Sequence, residues 1–256
     1  MPASKIAVFG ATGDCAGHCL AHLLTAGFHC IALARTPAKL IASMKDKGVC
    51  GENIDAYLTV VRGNVKDIEA VKQALQFNGQ VVDTILSGIG GAPSLQWSLI
   101  RPIVLTDPRI CYDAGSTVLQ ALTELKPVQK PLYIHISTTG ISPAGMPRDV
   151  PLLLMPLYYW LIAAPIDDKA ALEKQLMEHM QLPETERGIR GSVGVKASLL
   201  MNGKSLGIKK IREGVDEHPA VGYTIHRSDV GLWIFEKLLT TGVKDGWLNK
   251  NVSITY

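Results

Sequence analysis

Ile6-Ala7-Val8-Phe9-Gly10-Ala11-Thr12-Gly13-Asp14-Cys15-Ala16-Gly17 runs from an apolar strand through a glycine turn into a helical pattern. Gly10 and Gly13 permit backbone angles and close approaches that a Cβ would block. The unpaired N–H groups of the new helix, with the macrodipole behind them, point at an anion. The pattern predicts a pyrophosphate cradle for a dinucleotide. The third glycine of the usual fingerprint falls on Ala16, which that position tolerates, with Gly17 beside it. A plain strand-turn-helix corner would use the same glycines, so context decides. A second apolar strand, Cys30–Ala34, closes a βαβ unit of about the expected ~30 residues.

Outward from this unit, strand-like runs at 58–61, 81–86, 132–136 and 193–196 alternate with amphipathic stretches near 15–26, 37–45, 67–77, 111–125 and 168–180. Strict β-α alternation with near-continuous apolar strands predicts an α/β fold: a doubly wound, mainly parallel Rossmann-type sheet with helices on both faces. A later helix over about 228–240 carries Val230, Trp233, Ile234 and Leu238 at helical spacing, and 252–255 adds an edge strand. His226 supports the start of that helix, with Ser228 or Asp229 as its cap. The chain reads as a single domain over 1–256, with a small C-terminal helix region on the substrate side from about 197 to 256.

Composition narrows the function. Of 256 residues, 47% are hydrophobic and 19% charged, and the formal net charge is +3, with Lys and Arg dispersed. That argues against a nucleic-acid face. Five scattered cysteines do not resemble a disulfide framework and suit a reducing compartment. The start of the chain shows no charged-then-apolar leader, so the cytoplasm is the expected location. The apolar run 150–164 would rise roughly 22 Å as a helix, short of a ~30 Å hydrocarbon core, and Pro156 interrupts it. It reads as a bent lid, a pocket wall or a subunit contact rather than a membrane span.

Two connections, about 88–109 and 141–165, are longer than the ~2 to 6 residues usual for this fold. Both follow strands at the carboxyl edge, where open α/β sheets carry their ligand crevice. Their apolar content, with Leu95, Trp97, Leu99 and Ile100 in the first and the run 152–162 in the second, points to a hydrophobic small-molecule substrate or to a homo-oligomer interface.

The second strand ends on Arg35 where an NAD site would place Asp or Glu. A guanidinium there can fork onto a 2′-phosphate, assisted by Thr36 and Lys39. A charge-assisted hydrogen bond of ~1.5 to 3 kcal/mol would favour NADPH by roughly ten- to a hundredfold. NADP(H) is therefore the expected cofactor. Asn64 and Val65 follow the third strand, where they can hold the adenine. Ser87, Gly88 and Ile89 end the fourth strand, where glycine lets backbone approach the middle of the cofactor.

Together, the segment from Lys5 to Gly13, Ala26-Gly27-Phe28, Arg35 and His226-Arg227-Ser228-Asp229-Val230-Gly231 resemble the atypical short-chain dehydrogenase/reductases, in particular the NmrA-like and flavin reductase/biliverdin-IXβ reductase branch. The resemblance implies that Thr12, Gly13, Asp14 and Cys15 surround the pyrophosphate, that Arg35 meets the 2′-phosphate, and that Ser137 and Thr138 face the nicotinamide. One departure matters. Typical members of the superfamily use Tyr-x-x-x-Lys, in which the lysine lowers the tyrosine's pKa for proton transfer. Here the candidate lysine is Lys169, and Pro165 stands four residues before it; neither Tyr158 nor Tyr159 has a lysine four residues on.

Reduction survives that loss if the nicotinamide supplies the hydride and the protein orients the substrate. Thr138 can hydrogen-bond a carbonyl oxygen, and the proton can come from Lys169, from Tyr158 or Tyr159, or from solvent. Lys169 also reads as a solvated helix lysine beside Asp167, Asp168 and Glu173, and the tyrosines as pocket wall. Cys15, His18, Cys19 and His22 share a helical face but cannot close a tetrahedron around zinc from one straight helix, so no metal is expected. His135 reads as a satisfied core histidine. Three functions fit: an NADPH-dependent reductase of an enone, imine, quinone or flavin-like molecule; an isomerase or cyclase of secondary metabolism that keeps the fold; or a redox-silent NADP(H) sensor. The apolar connections favour the reductase.

Overall fold

The computed structural model describes residues 4–97, 103–142, 145–160 and 162–256. Leu99 and Ile100, expected in the first long connection, lie outside these residues.

Eight strands form the main sheet: β1 (Ile6–Phe9), β2 (Cys30–Ala34), β3 (Leu58–Arg62), β4 (Thr84–Ser87), β5 (Leu132–Thr138), β6 (Gly191–Ala197), β7 (Arg212–Val215) and β8 (Lys250–Thr255). Their order is β7-β8-β6-β5-β4-β1-β2-β3, and every pairing is parallel except β7 against β8. The helices are α1 (Asp14–Thr25), α2 (Pro37–Asp46), α3 (Gly51–Tyr57), α4 (Ile68–Ala74), α5 (Ile110–Leu125), α6 (Met155–Trp160), α7 (Ala163–Gln181) and α8 (Arg227–Ile234).

Alternate residues of each central strand feed two cores. Ile6 and Val8 pack with Leu20 and Leu24 of α1, Leu40 of α2 and Trp233 of α8. Ala7 and Phe9 pack with Val71 of α4, Val118 of α5 and Leu172 of α7 on the other face. Because both faces are covered, the strands read as continuous apolar runs. Ser87 of β4 pairs with His135, so Ile136, Ser137 and Thr138 run past β4 at the carboxyl edge.

Several boundaries differ from the sequence reading, each for a local reason. The run 81–86 is not one strand. Asn78 and Gly79 both have positive φ, forming the left-handed turn of a hairpin that pairs Gln76–Phe77 with Gln80–Val81. This hairpin also ends α4 at Ala74 rather than near Phe77. Pro165 lies in the first turn of α7, where no amide is needed, so the helix starts five residues earlier than expected. The strand containing 252–255 is not at the edge: β7, whose Arg-Glu-Gly-Val sequence gives no apolar alternation, pairs outside it. Ser228 and Asp229 do not cap the late helix; His226 occupies the N-cap position, and a π-helical turn, Phe235–Thr240, continues beyond Ile234. The fully buried Asp229 carboxylate instead accepts from Ser205 Oγ, Leu206 N, Gly207 N and Tyr256 Oη, pinning that loop and the C-terminus to α8.

Candidate active site

A cleft of about 460 Å³ opens at the carboxyl edge over β1, β2 and β4. Gly13 occupies the N-cap position of α1 without a capping side chain, so the first-turn amides of Asp14, Cys15 and Ala16 have no intrahelical acceptor. Gly10 has φ of +75°, and a Cβ there would come within 2.7 Å of the Gly88 carbonyl. A Cβ on Gly88 would lie 2.5 Å from that of Ala16. The glycine loop and the end of β4 thus touch backbone to backbone, and Ala16 is as large as the junction allows. A nucleotide diphosphate fits this cradle: exposed amides, a helix N-terminus and no side chain in the way.

Gly10, Thr12 and Gly13 line the cleft on one side, Arg35, Asn64 and Val65 on another, and Gly88 and Ile89 at its floor. Arg35 is exposed and has no acidic partner among the described residues. Lys39, also exposed, sits one turn into α2 and outside the lining. The Asn64 carbonyl oxygen accepts from Lys66 N at 3.1 Å, which leaves its amide hydrogens to point elsewhere. Asp14, Cys15, Ser87 and Ser137 do not line the cleft with their side chains. The Asp14 carboxylate faces Lys47 Nζ at 3.4 Å. Burial pushes the Cys15 thiol up to about 11 against the pull of Arg227 and Lys169, so it stays neutral. Ser87 is buried in the strand.

Gly90 and Gly91, which continue the glycine-rich end of the fourth strand, line the cleft as well, but sequence reasoning missed the rest of that wall, Thr106, Asp107 and Ile110. Lys66 holds it in place through Asp107 and Asp113, each at 2.8 Å. No periodicity marks such a wall.

Beside the cleft, Lys169 reaches from α7 to the Ile136 carbonyl at 2.6 Å, under the end of β5. It is half-buried, and its charge acts on Cys15, Cys111 and His135. It is therefore not a solvated helix lysine paired with its sequence neighbours. Asp168 turns away from it and accepts from Cys111 N at 2.9 Å and Tyr112 N at 3.1 Å, capping the start of α5. Thr138 is half-buried at the tip of β5.

Beyond the β5 tip lies a second cavity of about 290 Å³ whose walls include Gly140, Met146, Asp149, Tyr158 and Tyr159. Tyr158 is buried, with its hydroxyl 3.0 Å from Thr139 Oγ1. Its ring fits because residue 140 is glycine: a Cβ there would lie 2.7 Å from Tyr158 Cδ1. Tyr159 is 67% exposed and forms the rim. Asp149 Oδ1 accepts from Gly140 N at 2.9 Å and Ser142 Oγ at 3.4 Å, tying Asp149 to the residues just after β5.

A polar cluster lies beneath the β5 end on the α7 face. Ser137 Oγ is hydrogen-bonded to Glu173 Oε1, and Asn251 Nδ2 donates to Glu173 Oε2 at 3.3 Å. Lys196 Nζ stands 3.6 Å from Glu173 and 3.7 Å from Asp216. Burial raises the Glu173 carboxyl to about 7 against the attraction of Lys196. His135, expected as a satisfied core histidine, has both ring nitrogens buried without a hydrogen-bond partner. Burial, reinforced by Lys169 and Lys196, lowers its pKa to about 3 and keeps it neutral. The alternation of polar residues on β5, β6 and β8 was visible in the sequence, but their convergence on one helix residue was not.

Among the described residues, no helix is long and apolar enough to cross a membrane. Residues 2–92 match the family model described as the NmrA-like family. Over 267 residues, spanning all of both chains, the protein is 42% identical to the reductase pytE of Aspergillus terreus. It is 33% identical over 284 residues to the oxidase pynE of Aspergillus niger, covering 100% of this chain and 99% of that one. Among solved structures, the oxidoreductase ylbE of Lactococcus lactis superposes with a TM-score of 0.64 at 20% identity, covering 98% of this chain and 90% of the other. ChuY, an anaerobillin reductase from Escherichia coli O157:H7, gives 0.62 at 15% identity, covering 98% and 96%. The Rossmann-type sheet, the glycine cradle and the full-length similarity agree: the chain belongs to the NmrA-like family of atypical, nicotinamide-dependent short-chain oxidoreductases.

Proposed function

We propose that the protein is an NADPH-preferring reductase of a hydrophobic small molecule bearing a polarised double bond, such as an enone, imine, quinone or flavin-like ring. The observation that carries this reading is the presence of two spaces at the carboxyl edge of one sheet: the Arg35-rimmed cleft over β1, β2 and β4, and the aromatic cavity beyond the tip of β5, the next strand, with Lys169 on the carbonyl of Ile136 near that strand end. Full-length similarity to a protein named a reductase and to one named an oxidase supports redox chemistry in either direction.

In this reading the first-turn amides at Asp14, Cys15 and Ala16 hold the pyrophosphate, with Thr12 beside them and Gly13, whose own N–H donates to the Gly10 carbonyl, leaving room for it. Arg35 and Lys39 meet the 2′-phosphate, Asn64 and Val65 the adenine, and the backbone at Ser87, Gly88 and Ile89 the middle of the cofactor. A reduced nicotinamide, when bound, supplies the hydride. Ser137 and Thr138 stand at the reacting end, and Thr138 donates to the substrate's heteroatom as negative charge develops. Lys169 holds the β5 end and raises the local positive potential. Tyr159 and the apolar segment around it cover the substrate and exclude water, with Tyr158 as the fixed wall behind. Unpaired thiols at Cys15, Cys19, Cys30, Cys50 and Cys111 support a cytoplasmic setting.

The test is titration with NADPH and NADH, followed by loss of absorbance at 340 nm with a panel of quinones, flavins and hydrophobic enones and imines. NADPH binding at least tenfold tighter than NADH, with turnover of a panel member, is the expected result. Tight binding of both oxidation states with no turnover across the panel would overturn it.

A further inference from the structure

We propose that Glu173, acting through Ser137, is the proton source that stands in for the missing tyrosine, with Lys196 as its counter-ion. The inference rests on the reductase reading above. A typical member of the superfamily places its acid one turn before the α7 lysine, and this chain has Pro165 there, which has no proton to give. One turn after Lys169, on the same helix, stands Glu173, 8% exposed. Its Oε1 meets the hydroxyl of Ser137, next to Thr138 at the strand tip.

The pocket around the carboxyl is built for it. Residue 194 is glycine because a Cβ there would lie 1.9 Å from Asn251 Oδ1 and 2.9 Å from His135 Nε2. That opening lets Asn251 reach Glu173 from β8.

The charged and titratable groups facing the carboxyl can be named strand by strand. His135 of β5 is neutral, so it adds no charge beside the carboxyl and is no general acid at neutral pH. Lys196 of β6 is 3% exposed and also donates to the Ile141 carbonyl. Asp216, after β7, lies on the far side of Lys196 and binds Asn251 N at 2.9 Å. Lys169 stands one turn earlier on α7 itself. A single ammonium thus contacts two carboxylates, which favours one of the two binding a proton. Glu173 is the more deeply buried of the pair, and burial raises its affinity for a proton into the neutral range.

The step balances as follows. The substrate's C=X carbon gains a hydride from the reduced nicotinamide, and the π pair moves onto X. Ser137 is 3% exposed and outside the lining of both spaces, so its hydroxyl meets X only when substrate seats against the β5 end; X then takes the Ser137 hydroxyl proton, and Glu173 gives its own proton to Ser137 Oγ. The carboxylate left behind is held by Lys196. It regains a proton from the side of Lys196, Asp216 and Asn251, where a small cleft adjoins the substrate cavity and shares Ser142, Met146 and Asp149 with it.

Two readouts test this. In the first, carboxyl-carbon NMR of glutamate-labelled protein follows Glu173 from pH 4 to 9, with Glu173→Gln assigning the resonance. The expected result is a midpoint near neutrality that moves when NADP⁺ binds. A midpoint in the ordinary carboxylate range, or one indifferent to NADP⁺, overturns the proposal.

In the second, NADPH oxidation is measured with whichever panel substrate turns over. Glu173→Gln and Ser137→Ala are each expected to lower kcat by about 10²-fold or more, to remove the alkaline limb of the kcat–pH profile and to leave cofactor affinity within about twofold. The double variant should be no slower than the worse single, because both break one path. Glu173→Asp, which keeps the proton on a shorter arm, should recover part of the rate. Folded variants, by circular dichroism and NADPH titration, with wild-type kcat and pH profile would overturn the relay. If nothing in the panel turns over, the reductase reading fails, and the relay is judged by the NMR arm alone.

Discussion

The two ends of the carboxyl edge are made of different material. Over β1, β2 and β4 the site consists of backbone and of missing side chains: Gly10, Gly13 and Gly88 in mutual contact, amides at a helix start, and one exposed guanidinium at Arg35. Around β5 and β6 it consists of buried charge: Lys169 on a strand carbonyl, and Glu173 and Lys196 paired beneath Ser137. The contrast separates binding from chemistry. A pyrophosphate is the same in every substrate pair, so a rigid cradle suits it. Proton transfer needs groups whose charge changes, and these are tuned by burial.

The contrast breaks most severely at Gly10. Gly10→Ala places a Cβ 2.7 Å from the Gly88 carbonyl at a φ of +75°. A non-glycine residue held there costs roughly 1–3 kcal/mol before any clash is counted. Urea unfolding should show a lower midpoint, and NADPH titration should show affinity lost by more than a hundredfold. Wild-type affinity would mean that the glycine loop does not form the cradle.

Arg35→Ala sharpens the comparison, because it removes a side chain from the backbone-built end. NADPH affinity should fall roughly ten- to a hundredfold, corresponding to ~1.5 to 3 kcal/mol, while NADH affinity barely changes. Equal losses for both, or none, would remove Arg35 from the 2′-phosphate.

At the buried-charge end the matching experiment is stability against pH. Glu173 titrates near 7 when folded and near an ordinary 4.5 when unfolded. Between these values the folded chain holds a proton that the unfolded chain has lost, so stability is fully present below about 4.5 and declines as pH rises to about 7. The slope reaches at most about 1.4 kcal/mol per pH unit. His135, held neutral by burial, tilts stability the opposite way over the same window, so the readout is the difference in melting temperature between wild type and Glu173→Gln, which should move against wild type as pH rises from about 4.5 to about 7. A difference that stays constant across that window would contradict a protonated buried Glu173.

The same division explains what could be read in advance. The glycine loop, Arg35 and the strand alternation are local signals, because a turn or a strand end dictates its residue type within a few positions. β1 and β2 match expectation to the residue for that reason. The Asn78-Gly79 turn was equally local and was overlooked in favour of a longer apolar run. The Glu173 cluster was beyond reach. It joins residues 137, 173, 196 and 251, whose spacing follows no period, and it exists because β5, β6 and β8 lie side by side under one helix. Asp168 was misread similarly: beside Lys169 in sequence, it serves the start of α5 instead.

The smallest effect falls where the two kinds of construction meet, at Tyr158. Its ring rests on the glycine backbone at 140, while its hydroxyl pairs with Thr139 Oγ1 at 3.0 Å. Tyr158→Phe keeps the ring contact and deletes the hydrogen bond, stranding the 1%-exposed Thr139 hydroxyl. A neutral pair of this kind contributes about 1 kcal/mol, so the urea midpoint should drop slightly with NADPH affinity unchanged. If Tyr158 is wall rather than acid, kcat and its pH profile should stay within about threefold of wild type, even as substrate KM rises. A loss of kcat as large as that expected for Glu173→Gln would transfer the proton to Tyr158 and move the chemistry from the buried-charge end to the substrate cavity.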